Sequence, residues 1–194
     1  HVAQADLSAQ KGVDALAQAC REAFPRLDIL VNNASRFYPN EVGATPAWQW
    51  DDLISSNLRG PYFLVEALLP QLRTAGGSVI NIVDIHADRP MPNHAVYNIS
   101  KAGLAMMTKL YAERLADDGI NVYEIRPGII ATDMTSGVTE KYDKLILEDG
   151  ITPIRRWGKP EDVGRAVRAV AEDYLPFSTG EVINVDGGFH LHRL

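Results

Sequence analysis

Four short, nearly continuous apolar runs, DILVNN, SVINIVDI, INVYEIRP and GEVINV, recur along the chain, separated by stretches whose apolar residues return at helical spacing. A strand with one wet face alternates polar and apolar residues, whereas a run without alternation belongs to a strand covered on both faces. Strands of that kind alternating with helices imply an α/β fold, a doubly wound parallel sheet between two helical layers. The opening HVAQADL reads as the end of one more strand. Ser8 is the expected N-cap of a helix carrying Val13, Leu16, Cys20 and Phe24, with Pro25 just past its end. A helical stretch should run from about Trp48 to Leu69, with Trp48, Trp50 and Leu53 as packing residues, before Gly76 and Gly77 turn the chain into SVINIVDI. A second should run from Tyr97 to about Ala116, closed by Gly119 and with Met106, Met107 and Leu110 in the core. A third, Lys159 to Ala171, is entered at Pro160, where a missing N–H costs nothing.

Composition narrows the function classes. The 194 residues are 46% apolar, enough to bury a core, and carry a net charge of -6, which disfavours a nucleic-acid or anionic-membrane partner. Cys20 is the one cysteine, so no internal disulfide can form, and a reducing, cytoplasmic compartment fits. Charges and prolines interrupt every apolar run, so no signal peptide or spanning helix is expected. His190 and His192 alternate near the end, but two histidines without further ligands make no metal site, and none is expected. With no repeat or linker, residues 1–194 read as one domain.

The chemistry centres on Tyr97 and Lys101, four positions apart near the start of a helix and therefore one turn apart on one face. A phenol with a pKa near 10 exchanges protons poorly at neutral pH, and a fixed ammonium beside it favours the phenolate. The pair sits within a longer register: Asn57, Asp84, Tyr97 and Lys101 fall 27, 13 and 4 residues apart. Asn57 lies inside the long helical stretch, where an asparagine is locally unfavourable.

That register, with ADL at Ala5 to Leu7, LVNNAS from Leu30, SNLRGPY from Ser56, VINIVD from Val79, YNISK from Tyr97, RPGIIATDM from Arg126 and NVDGGF from Asn184, resembles the short-chain dehydrogenase/reductase family in both order and spacing. The resemblance covers nearly the whole chain and implies a Rossmann-like, NAD(P)H-dependent reductase with an Asn, Ser, Tyr, Lys tetrad. It makes Tyr97 the proton donor. Lys101 would lower the Tyr97 pKa and hold the nicotinamide ribose, and Asn57 would open its helix around a water that feeds a proton relay. Asp6 and Leu7 would meet the adenine, Asn33 and Ala34 the adenosine ribose, and Pro127, Gly128, Ile130 and Thr132 the nicotinamide. NADPH is the implied cofactor, and a homotetramer acting on a small molecule the implied assembly.

Position 84 departs from the family, with an aspartate where a serine donates to the substrate oxygen. A carboxylate repels a developing alkoxide unless a dry pocket keeps it protonated, but it suits a substrate that presents N–H donors. NNASRFYP and INIVDIHADRP look like the pteridine reductases, which have Asp here. In them the serine at position 35 touches cofactor and pterin, and an aromatic, here Phe37, stacks on the pterin. His86 and Asp88 follow in the same loop and are expected to be solvated. The second half, RPGIIATDM with EKYDKLI and RWGKPEDVG, looks closer to 3-oxoacyl-carrier-protein reductases. Pteridine reduction is thus the first expectation, 3-oxoacyl thioester or related ketone reduction the second, and an inactive fragment that does not bind dinucleotide the third.

No glycine-rich turn of the dinucleotide-binding kind occurs in the chain. Family members run to about 250 residues, within the one-domain range. The chain is therefore expected to lack the family's first two strands and phosphate-binding turn, to begin at its third strand, and alone to be unstable and unable to bind NADPH.

Overall fold

A computed structural model describes residues 1–132, 135, 137 and 139–191, the Lys141 side chain apart. Its order is α1 (Gln10–Ala23), β1 (Ile29–Asn32), α2 (Ala47–Ile54), a π-turn (Ser55–Arg59), α3 (Gly60–Ala75), β2 (Ser78–Ile82), a 3-10 turn (Ile85–Ala87), α4 (Ala95–Leu115), β3 (Asn121–Pro127), α5 (Thr139–Asp143), a second π-turn (Lys144–Glu148), α6 (Pro160–Ala171) and β4 (Val182–Val185). The four strands form a parallel sheet in the order β1-β2-β3-β4, in register from Ile29 beside Ser78 to Pro127 beside Val185. None of the described helices is long and apolar enough to cross a membrane.

The apolar runs explain both faces of the sheet. Along β2 and β3, Val79 and Val122 point into a core with Val13 of α1, Leu68 of α3 and Leu104 of α4. Ile80, Ile82, Tyr123 and Ile125 point the other way, onto Val170 and the inner face of α6. The period-2 geometry of a strand makes a continuous apolar run supply two cores. At the edge, Val31 of β1 remains 38% exposed, so this strand is not covered on both faces as its sequence suggests.

Several local expectations are corrected. Residues 1–6 form no strand, because among the described residues no strand offers them a ladder. Ser8 does not cap α1; its hydroxyl and N–H both donate to Asp6 Oδ1, and Ala9 is the N-cap. Trp48 and Trp50 are 62% and 45% exposed, while Leu53 is fully buried. Met106 and Leu110 are 53% and 55% exposed, unlike the buried Met107. Helix α4 is apolar nearly all round, and the sheet and α3 cover only part of it.

Candidate active site

The long helix breaks where the sequence puts an asparagine in it. Asn57 lies at the centre of the π-turn between α2 and α3, nearly fully buried. Its Nδ2 donates to the Arg36 carbonyl (2.9 Å) and Ser100 Oγ (3.1 Å), and its Oδ1 accepts from Ser35 Oγ (3.1 Å) and the Arg36 N–H (2.7 Å). The side chain thus braces the loop after β1 against α4. Ser100, one turn after Tyr97, escaped the sequence reading; it belongs to the YNISK run, and its position on the Asn57 side of α4 emerges only from packing.

Tyr97 and Lys101 project from the first turns of α4, both buried. Tyr97 Oη donates to Asp84 Oδ2 at 2.8 Å, and the other Asp84 oxygen accepts the His86 N–H at 2.8 Å. Lys101 Nζ donates to the Ile82 carbonyl at 3.0 Å and lies 5.6 Å from the centre of the Tyr97 ring. The electrostatics reverse one expectation. Burial first, then the charge and hydrogen bond of Asp84, push the Tyr97 phenol well above its ordinary value, so Lys101 does not lower it here. Burial likewise brings the Lys101 ammonium down to about 8, against the opposing pull of Asp84. Both shifts have one cause, a dry site that disfavours charge on either group.

These side chains open onto a cleft of about 400 Å³ at the C-terminal ends of β2 and β3. Phe37, Asp84 and Tyr97 line it on one side, and Pro127, Gly128, Ile130 and Thr132 on another. Tyr142, Leu145 and Ile151, from the segment around α5, complete the wall; the first two belong to the EKYDKLI run, whereas no sequence signal marks Ile151. Phe37 meets the Tyr97 ring edge-on at 4.8 Å and stacks on His94 at 4.7 Å, so one of its faces is already covered. His86 lines the cleft, whereas Asp88 turns to Arg126, which also pairs with the fully buried Glu124. This Glu124–Arg126–Asp88 chain ties the loop bearing Asp84 to β3.

The remaining expected residues divide by place. Asp6 approaches the loop after β1, its carboxylate 3.6 Å from Arg36. Leu7 packs on the core beside it, and Asn33 and Ala34 are exposed just past β1. Ser35 spends its hydroxyl on Asn57. Gly128 must be glycine for an internal reason, since a Cβ there would lie 2.6 Å from that of Asp186. His190 pairs with Asp186 at 2.8 Å, and His192 lies outside the described residues.

A family model described as "Enoyl-(Acyl carrier protein) reductase" matches residues 1–190. A 3-oxoacyl-[acyl-carrier-protein] reductase of Staphylococcus epidermidis is 34% identical over 169 residues, 87% of this chain and 68% of that protein. The crystal structure of a 3-oxoacyl-[acyl-carrier protein] reductase from Brucella melitensis in complex with NAD superposes with a TM-score of 0.93 at 37% identity, over 99% of this chain and 78% of that one. A Pseudomonas aeruginosa RhlG/NADP active-site complex superposes with a TM-score of 0.87 at 34% identity, over 96% and 75%. These descriptions differ in the bond reduced and share the reductase family. With that agreement in sequence, fold and extent, the chain belongs to the short-chain dehydrogenase/reductase family of NAD(P)H-dependent oxidoreductases.

Proposed function

We propose that this chain reduces the keto group of a 3-oxoacyl thioester with hydride from NADPH and a proton from Tyr97. The observation that carries this reading is the meeting of Tyr97, Asp84 and the Pro127–Thr132 segment on one cleft, with Lys101 buried behind Tyr97, in a chain whose relatives include 3-oxoacyl reductases. The fit of a dinucleotide rests on Lys101, whose ammonium has three donors and one described hydrogen-bond acceptor, the Ile82 carbonyl. In this reading Lys101 would hold the nicotinamide ribose, with Pro127, Gly128, Ile130 and Thr132 beside the ring. Asp6, Leu7, Asn33 and Ala34 would face the adenosine half, and Ser35 would lie where cofactor and substrate meet. The bound nicotinamide supplies the hydride.

The chain's own residues manage the proton. Tyr97 is a phenol across the neutral range, because burial and Asp84 both oppose its ionisation, so the proton it would donate is in place, and leaving Asp84 for the substrate oxygen would remove one of the two groups that hold that proton back. To reach a substrate oxygen, its hydroxyl must swing away from Asp84 Oδ2. Asp84 stands where the family's serine donates, and a charged carboxylate opposes the growing alkoxide, a cost that the Asp84→Ser comparison measures. Asn57 keeps the loop after β1 and α4 in place while this happens.

A second reading, hydride transfer to a pterin or dihydrofolate ring, is favoured by Asp84 and Phe37 together. Asp84 accepts a proton donor at the cleft wall, as it would from a pterin N–H, and Phe37 lines the same cleft as an aromatic wall for a flat ring. The half-exposed Met106 and Leu110, together with Tyr62 and Phe63 of α3, support a homo-oligomer, here proposed as a tetramer.

The deciding experiment measures oxidation of NADPH and NADH with an acetoacetyl thioester, dihydrobiopterin and dihydrofolate, using the product of the complete reading frame and residues 1–194 alone. Thioester turnover without pterin turnover supports the first reading, and the converse replaces it with the second. Residues 1–194 inert toward all three substrates would favour the third expectation for this chain. Asp84→Ser should harm pterin reduction more than ketone reduction; equal effects on both would remove the argument built on Asp84.

A further inference from the structure

We infer that Arg89 makes the cleft select substrates carrying an anionic group, a carboxylate or a phosphate, away from the carbon that receives hydride. The inference deepens the proposed function and rests on it for the position of the reacting carbonyl.

Arg89 lines the same cleft as Asp84 and Tyr97 and is only partly exposed. It is held from three directions. Its Nη1 donates to the Phe189 carbonyl at 2.9 Å, its guanidinium lies 4.2 Å from the centre of the Phe189 ring, and its backbone N–H donates to the Ile85 carbonyl at 3.2 Å. Its own carbonyl meets His86 Nδ1 at 2.8 Å, and a carbonyl accepts only, so that nitrogen carries its hydrogen toward Arg89. None of these partners is an anion.

The carboxylates closest in sequence are engaged elsewhere. Both Asp84 oxygens are taken, by the Tyr97 hydroxyl and the His86 N–H, and Asp88 pairs with Arg126. Among the described residues Arg89 has no carboxylate within salt-bridge distance. A guanidinium keeps its charge at every physiological pH and carries five donors, of which Nη1 alone is described as bonded. The rest of the wall around it is largely apolar, with Met91, Leu145, Ile151 and Phe189. A fixed cation without a counter-ion among the described residues, facing an apolar cleft beside the proton donor, is complementary to a substrate with an apolar arm and a negative group.

The test compares kcat/KM for three thioesters in the product of the complete reading frame. One is the neutral acetoacetyl N-acetylcysteamine thioester, one its analogue with a carboxylate at the acyl end, and one the acetoacetyl thioester of phosphopantetheine. The wild type should favour one anionic substrate over the neutral one by about tenfold or more, the size of a single charge-assisted hydrogen bond. Which of the two is favoured identifies the source of the anion. Arg89→Gln should abolish that preference and Arg89→Lys should keep part of it. Equal kcat/KM for all three in the wild type, or an Arg89→Gln loss equal for neutral and anionic substrates, overturns the inference. Calorimetric binding of glutarate against glutaramide separates this from the reductase proposal. Arg89-dependent glutarate binding without thioester turnover upholds the anion site and sinks the thioester reading. Thioester turnover without charge discrimination sinks the anion site alone.

Discussion

Raising the pH from about 7 to about 9 should stabilise this protein, and Lys101 is the reason. In the unfolded chain its ammonium titrates at 10.5, and in the fold at about 8, because the side chain is 3% exposed and burial outweighs the attraction of Asp84. A lysine whose folded pKa is depressed leaves the unfolded chain holding more protons between the two values, so stability rises with pH through that interval. Below about pH 8 both states are protonated and the full cost of the buried charge is present. Between about pH 7 and about pH 9, at about 1.36 kcal/mol per pH unit, the part of the interval traversed gives a gain of about 1.3 kcal/mol. The window closes near there because Tyr97, Tyr111, Tyr38, Tyr123 and Tyr142, all raised by burial, give the opposite slope once unfolded tyrosines ionise. Urea unfolding of the cofactor-free protein, at roughly 2 to 3 kcal/mol per molar, should show its midpoint rising by about 0.5 M across the window. Lys101→Met should flatten the rise. A wild-type midpoint that stays level or falls, or a Lys101→Met variant with the wild-type slope, would refute the reasoning.

Other perturbations probe the site and the core. Tyr97→Phe should lower kcat by ~10² to 10⁴ with little change in KM, as loss of a general acid does; steady-state kinetics with near-normal kcat would remove Tyr97 from the mechanism. Asn81 is fully buried, accepts from Asn32 Nδ2 at 2.8 Å and donates to Thr108 Oγ1 at 2.9 Å. Asn81→Leu should cost about 1 to 3 kcal/mol in urea unfolding, since it leaves the buried Asn32 Nδ2 without this acceptor while Thr108 Oγ1 keeps its bond to the Leu104 carbonyl, and a cost below about 0.5 kcal/mol would show that the amide finds another partner.

Much of the architecture was legible because it depends on periodicity. The runs SVINIVDI and INVYEIRP became β2 and β3, and their two-sided burial follows from apolar residues at consecutive positions. Turn glycines were equally readable: Gly76 and Gly119 adopt φ of 60° and 70° at the helix ends they were expected to close. Expectations failed where a residue's fate depends on a distant neighbour. HVAQADL has strand-like residues, yet a strand exists only beside another. Met106 and Leu110 have core-like side chains, but burial needs a surface to pack on, and the sheet and α3 meet other faces of α4. Trp48 and Trp50 stay exposed for the same reason.

By itself the sequence determined the reductase family and the relative positions of Tyr97 and Lys101, because the order and spacing of the motifs identify the family and helical geometry places residues four apart on one face. Their protonation was decided by the tertiary structure. Asp84 arrives from the end of β2, some distance along the chain, and with burial its carboxylate, accepting the Tyr97 hydroxyl hydrogen bond, keeps on Tyr97 the proton that a lysine-only reading would release. The brace formed by Asn57 and the placing of the Arg89 guanidinium on the cleft wall are likewise products of packing. Local geometry is encoded locally, whereas the energy of a charge depends on the solvent and the distant groups that folding removes from it or brings to it.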